Sequence, residues 1–272
     1  IAADEEQSLL EKCYFAACES DTSAQNYLRA LLNGYGNGKR REELQKLLAS
    51  FPVYKSNSYL LDEGNFRGYG GSVYFEREEN KPNNNMVLML RFLDGQFAEV
   101  LDKGLHKSEA LGWTGTFMKQ GIALFLLYLY EGQWNGSGIT AMAEKAKSAM
   151  GFSKEYRNGT CGLEGIGEND LFCQLFLQWK SIVPMSSDIR NRAIKRITAL
   201  LKKRTAGIMD ANRRNYYGEC AAYIAALGEV QESMGEPGAK QRLMTSYKDA
   251  YPRRSAFREE MRKFGWIDMK RK

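Results

Sequence analysis

One histidine, His106, and five cysteines, at positions 13, 18, 161, 173 and 220, leave little room for the commonest site chemistries. A lone imidazole removes almost every mechanism built on a histidine pair or a triad. The cysteines form no C-x-x-C pair and are odd in number, so neither a disulfide framework nor a four-thiolate zinc site is supported. Cys13, Cys18 and Cys220 stand among Ala, Tyr and Phe in helical-looking runs, where a thiol acts as a small hydrophobe. Accordingly no metal, no cofactor and no catalytic residue is expected. The five prolines and the lack of any low-complexity tract argue against long disorder. The longest apolar run, Ile122 to Tyr130, is far below the ~20 residues that span a bilayer, so no membrane partner is expected. The start carries no charged-then-apolar signal segment, which makes a cytoplasmic setting the expectation. A first residue Ile1 in place of Met is expected of a chain cut from, or processed out of, a longer protein.

What remains is an ordinary globular composition: 272 residues, 43% hydrophobic and 26% charged. That length builds a full core without disulfide or metal staples. Helical periodicity dominates. Leu9, Leu10, Cys13, Ala16 and Ala17 form one apolar stripe, Tyr27, Leu28, Leu31 and Leu32 a second, and Arg41 to Ala49 a third helix. Residues 51–85, with Gly64, Gly68, Gly70, Gly71 and Pro82, read as a long glycine-rich loop. Met86 to Leu93 and Phe97 to Leu101 flank Asp94-Gly95 as a helical hairpin. Gly112 to Glu131 is apolar almost all round, the mark of a central buried helix, and Ser137 to Met150 follows it. The glycine-rich stretch 151–167 separates a helical sub-domain at 1–150 from a basic one at 168–272. In the second half Leu171 to Ile182 ends at Pro184, and Ser186 or Ser187 caps a long basic helix. Asn215 to Met234, Gly238 to Tyr251 and Pro252 to Phe264 complete it, with Pro252 suited to a first helical position and Gly265 to the residue past a last one. The expectation is an all-α protein, an irregular array of helical hairpins of tetratricopeptide-like or solenoid-like kind.

Glycine clusters offer no nucleotide site. Gly34-Tyr35-Gly36-Asn37-Gly38-Lys39 has Asn33 and Arg40 where a P-loop needs Gly and Ser or Thr, and Gly162, Gly165 and Gly167 reverse the dinucleotide spacing and follow no strand. Carboxylate pairs are the only acid–base option left, for example Asp62 with Glu63, or Glu164, Glu168 and Asp170, and sequence neighbours on loops are usually just solvated. Phe66, Tyr69, Tyr74 and Phe75 with Arg67 could stack on a sugar or base, but such residues more often pin a loop to the body.

Charge supplies the clearest signal. Residues 188–272 carry 20 Lys+Arg against 10 Asp+Glu, while the whole chain is only +6. Lys195, Arg196, Lys202, Lys203 and Arg204 lie close together on one helix, and Arg213, Arg214, Arg253 and Arg254 would join them if the hairpins stack. Such a patch attracts nucleic-acid phosphates or an acidic protein.

Within the same region, Asn212 to Leu227 (Asn-Arg-Arg-Asn-Tyr-Tyr-Gly-Glu-Cys-Ala-Ala-Tyr-Ile-Ala-Ala-Leu), Ala239-Lys240-Gln241 and Tyr251-Pro252-Arg253-Arg254-Ser255-Ala256-Phe257 resemble the C-terminal end of bacterial SWIM zinc-finger proteins. The finger itself, a C-x-C pair followed by C-x-H, is absent here, so nothing about zinc is implied. The resemblance implies a helical-repeat tail. A protein-interaction or scaffolding module of a larger bacterial protein, without catalysis, is the resulting expectation; a nucleic-acid-binding module using the basic helices is its alternative.

Overall fold

A computed structural model describes residues 84–106, 109–150 and 171–268. The expected helices between 5 and 50, the loop at 51–85 but for its last two residues, the separating stretch 151–167, Cys13, Cys18, Cys161, both glycine clusters and the loop carboxylates and aromatics named above lie outside them. Among the described residues every regular element is helical, as the periodicity predicted.

The described residues form nine α-helices, in chain order α1 (Asn84–Leu93), α2 (Phe97–Glu99), α3 (Met118–Leu129), α4 (Ser137–Ala149), α5 (Leu171–Ile182), α6 (Ser187–Asp210), α7 (Tyr217–Ser233), α8 (Ala239–Ala250) and α9 (Ser255–Lys263). The α1–α2 corner turns at Gly95, whose φ of 81° suits a residue without Cβ. α2 widens into a π-helical turn, Val100–Gly104, closed by Leu105 N–H donating to the Val100 carbonyl at 3.2 Å. The central apolar helix begins at Met118, later than Gly112, because Gly115 at φ 75° interrupts the preceding segment.

Two helices sit at the centre. Ten of the twelve residues of α3 are buried, and α7 is buried from Cys220 to Val230. A helix enclosed on all sides needs small residues where neighbours cross. α7 supplies Ala221, Ala222, Ala225 and Ala226, and Gly138 of α4 approaches so closely that a Cβ there would stand 2.3 Å from the Ala226 nitrogen. On the other flank, a Cβ at Gly228 would stand 2.4 Å from the Lys240 Cα of α8. One apolar cluster draws residues from Leu88 through Met150 and from Phe172 through Val230, so all three described segments share it. Its heart is aromatic: Phe92, Phe97, Phe125, Tyr128 and Trp179 pack largely edge to face, with Phe92 and Phe125 centroids 4.9 Å apart. The polar tips are satisfied across helices. Tyr128 Oη donates to the Val183 carbonyl and Trp179 Nε1 to the Leu93 carbonyl, each at 2.6 Å.

A second cluster joins Ile208, Tyr217, Ile224, Met244, Phe257, Met261 and Trp266, with Tyr251 partly buried beside it. Phe257 and Trp266 are thus buried at the end of the chain's helical array, with Tyr251 packed against them. Pro252 does not open a helix: α9 starts at Ser255, with Arg254 in the capping position, whereas Gly265 follows the last turn at φ 83° as expected.

Candidate functional site

The candidate site is the outer face of α6, a helix of 24 residues and so about 36 Å long. Ser186 caps it, its Oγ accepting from Ile189 N–H at 3.4 Å. Ala193, Ile197, Leu200, Leu201, Ile208 and Met209 bury the inner face. With 3.6 residues per turn, Arg192, Lys195, Ala199, Lys202 and Ala206 fall on the opposite side, with Arg196 and Lys203 at its margin. Lys195, Lys202 and Lys203 are exposed and Arg196 is half-buried. Asp188 and Asp210 stand at the two ends. Arg192 is tied to Asp102 at 3.1 Å, and Arg190 to Glu131 at 2.8 Å. Beyond the helix, Arg213, Arg214 and Arg253 are exposed.

Two members of the expected patch do other work. Arg204 is a correction: it is 2% exposed and does not belong to the surface. Its guanidinium bonds Glu219 at 2.9 Å and the Ala110 carbonyl at 2.8 Å, and its Cζ lies 5.0 Å from the Trp113 ring and 4.9 Å from that of Tyr216. Its position four residues after Leu200 and four before Ile208 puts it on the apolar face, a signal the sequence carries. Arg254 is half-buried and donates to Asn212 Oδ1 at 2.8 Å and to the Met209 carbonyl, closing the end of α6.

Beside α6, a shallow hollow of about 420 Å³ opens towards α7, lined by Asn191, Ile194, Lys195, Gln231, Met234 and Glu236. Its lining combines apolar Ile194 and Met234 with one charge of each sign, Lys195 and Glu236.

Three groups that the sequence does not reveal stand out. Glu229, 5% exposed, caps α4 from α7: it accepts from Gly138 N–H at 3.1 Å and Ile139 N–H at 2.7 Å, and binds Lys240 Nζ at 2.6 Å. Lys180 donates to the Tyr130 carbonyl at 2.6 Å beneath the Tyr128 ring; burial, with Arg190 adding to it and Glu131 opposing, brings its amine down to about 8. Glu219 also binds Lys119 at 2.6 Å; burial works to raise its carboxyl, and the hydrogen bonds and charges of Lys119 and Arg204 outweigh that and hold it below the usual range. Cys173 and Cys220 are buried, and burial pushes the Cys220 thiol up to about 11. His106 is exposed, with Nδ1 2.8 Å from the Lys103 carbonyl. Among the described residues no three His, Cys, Asp or Glu side chains gather to hold a metal ion, and no helix is long and apolar enough to cross a membrane.

No protein-family model matches the chain, and neither the curated proteins nor the solved structures contain a significant match to it.

Proposed function

We propose that this chain is a non-catalytic interaction module, an irregular array of helical hairpins that docks an acidic protein surface through the outer face of α6. One observation carries the reading: Lys195, Lys202 and Lys203 stand exposed along one side of a helix whose other side is fully committed to the core. Lys195 and Lys202, seven residues apart with Ala199 between them, and the adjacent Lys203 leave a ridge about two turns long that a carboxylate-rich helix or strand can follow. Buried charges, by contrast, hold helices together. Arg204 with Glu219 and Lys240 with Glu229 link α6 to α7 and α7 to α8. The resemblance of residues 212–264 to the helical tail of SWIM proteins supports the same architectural reading.

The alternative partner is a nucleic acid, and the make-up of the ridge weighs against it. No aromatic residue stands among the exposed positions of α6, so bases would find nothing to stack on, and phosphate contacts alone carry no sequence preference. Fluorescence anisotropy with a labelled poly-glutamate peptide, duplex DNA and single-stranded RNA at ~50 and ~200 mM salt tests the choice, because counterion release makes phosphate binding fall steeply over that range. Peptide binding is expected, with nucleic acid bound only at the lower salt. Sub-micromolar DNA or RNA binding at the higher salt reverses the ranking.

A further inference from the structure

We infer that a phosphate dianion binds where the first turns of α3 and α7 meet the C-terminal half of α4, held by Lys119 and Lys145 beside the buried Arg204–Glu219 pair. The inference does not depend on the outer face of α6. Around this corner the contacts form a chain: Lys145 Nζ lies 5.5 Å from the Tyr223 ring, Tyr223 packs edge-on to Trp113 at 6.1 Å, Trp113 faces Arg204, and Arg204 and Lys119 both approach the Tyr216 ring. Tyr223 Oη donates to the Lys119 carbonyl at 3.1 Å, which fixes the Lys119 backbone against α7.

Charge does not balance here. Arg204 and Lys119 already engage the two oxygens of Glu219, while Lys145, over the Tyr223 ring, lies within reach of the Glu219 charge without pairing with it. Lys145 is half-buried, and among the described residues it has no carboxylate within ion-pair distance. Burial accordingly lowers its amine, with Glu219 pulling it back and Lys119 pushing it further down. A second observation is independent of these lysines. Arg204, itself 2% exposed, keeps its Nε buried with no hydrogen-bond partner among the described residues. Lys240, by contrast, is matched one to one by Glu229. An excess of two positive charges in a desolvated corner is what a phosphate group, near −2 at neutral pH, neutralises. Lys119 is 27% exposed and gives the ligand its way in. Glu260 also approaches the start of α7, near Gly218, but is paired with Lys263 at 2.7 Å.

Isothermal titration calorimetry of the whole chain with inorganic phosphate, phenyl phosphate and acetate, ionic strength held constant with chloride, tests the site. Saturable phosphate binding is expected, weakened about tenfold or more by Lys145→Gln and by Lys119→Gln and unchanged by Lys202→Gln with Lys203→Gln. Tighter binding of phenyl phosphate assigns the site to a phosphate monoester, and tighter binding of inorganic phosphate assigns it to the free ion. Should Lys145→Gln not fold, Lys119→Gln and the wild-type titrations still decide. The inference is overturned by no saturable heat up to ~10 mM phosphate. Acetate binding as tightly as phosphate, or phosphate binding that follows Lys202 and Lys203 in place of Lys119 and Lys145, overturns it equally.

Discussion

Replacing Glu229 by alanine removes a carboxylate that ties α4, α7 and α8 together. Its side chain is 6% exposed, its oxygens accept from Gly138 and Ile139 N–H, and Lys240, itself 15% exposed, is left facing the gap. Breaking one partner out of a buried ion pair costs about 3–5 kcal/mol, and that figure already contains much of the roughly 1 kcal/mol of the lost cap. At 2–4 °C per kcal/mol for a chain of this size, the melting temperature should fall by about 10 °C. Urea unfolding followed by circular dichroism at 222 nm measures it, with an unchanged m-value required for the comparison. The stranded ammonium makes a second, sharper demand. Adding Lys240→Met to Glu229→Ala removes the unpaired charge, so the double variant should be more stable than the sum of the single losses by roughly 1–3 kcal/mol. A Glu229→Ala loss below ~1 kcal/mol, or strict additivity, would refute the reasoning.

Phe257→Ala should cost about 3–5 kcal/mol, since the ring is fully buried against Tyr217 at 5.7 Å; a melt within a degree or two of wild type would show that it is not core. Gly138→Ala places a methyl 2.3 Å from the Ala226 nitrogen and 2.7 Å from the Ala225 carbonyl carbon, backbone atoms that cannot step aside, so a loss of about 1–3 kcal/mol or more is expected. Gly112→Ala, whose nearest neighbour would be 3.7 Å away, should stay within about 0.5 kcal/mol and serves as the control in the same urea titration. Lys180 has a folded value of about 8 against 10.5 unfolded, so the unfolded chain holds more protons between those values and this residue's contribution to stability rises with pH across that window. Lys180→Met should flatten that rise, measured as the change in urea midpoint between about pH 7.5 and 9.5; equal changes in the two proteins would show that the amine is not desolvated.

How much of this was legible in the sequence depended on the range of the interaction concerned. Local chemistry read well. Ser186 caps α6, Pro184 follows the end of α5, and Gly95, Gly235 and Gly265 take the positive φ that a turn or a helix end requires. The all-round apolar pattern of α3 correctly marked a central helix, but its start was hidden because Trp113 and Phe117 extend the apolar pattern through residues that are turns. Pro252 fits a first helical position, and the helix nevertheless begins three residues later, after Arg254 has turned back to close α6. Charge density misled at Arg204. Counting basic residues along a helix ignores which face each one takes, and Arg204 shares its face with Ile197, Leu201 and Ile208. The Glu229 cap on α4 joins residues about ninety positions apart, and the Lys119–Lys145–Arg204–Glu219 corner draws on four helices. No local pattern encodes either.

The outer face of α6, proposed as the docking surface for an acidic protein, is tested most directly by charge reversal. Reversing its charge with Lys195→Glu, Lys202→Glu and Lys203→Glu leaves the core face untouched, so the variant should melt within a few degrees of wild type. Affinity for the poly-glutamate peptide, read by anisotropy at ~50 mM salt, should fall by about tenfold or more, as removal of several steering charges requires. Peptide binding that is equally tight in a folded triple variant would contradict the claim.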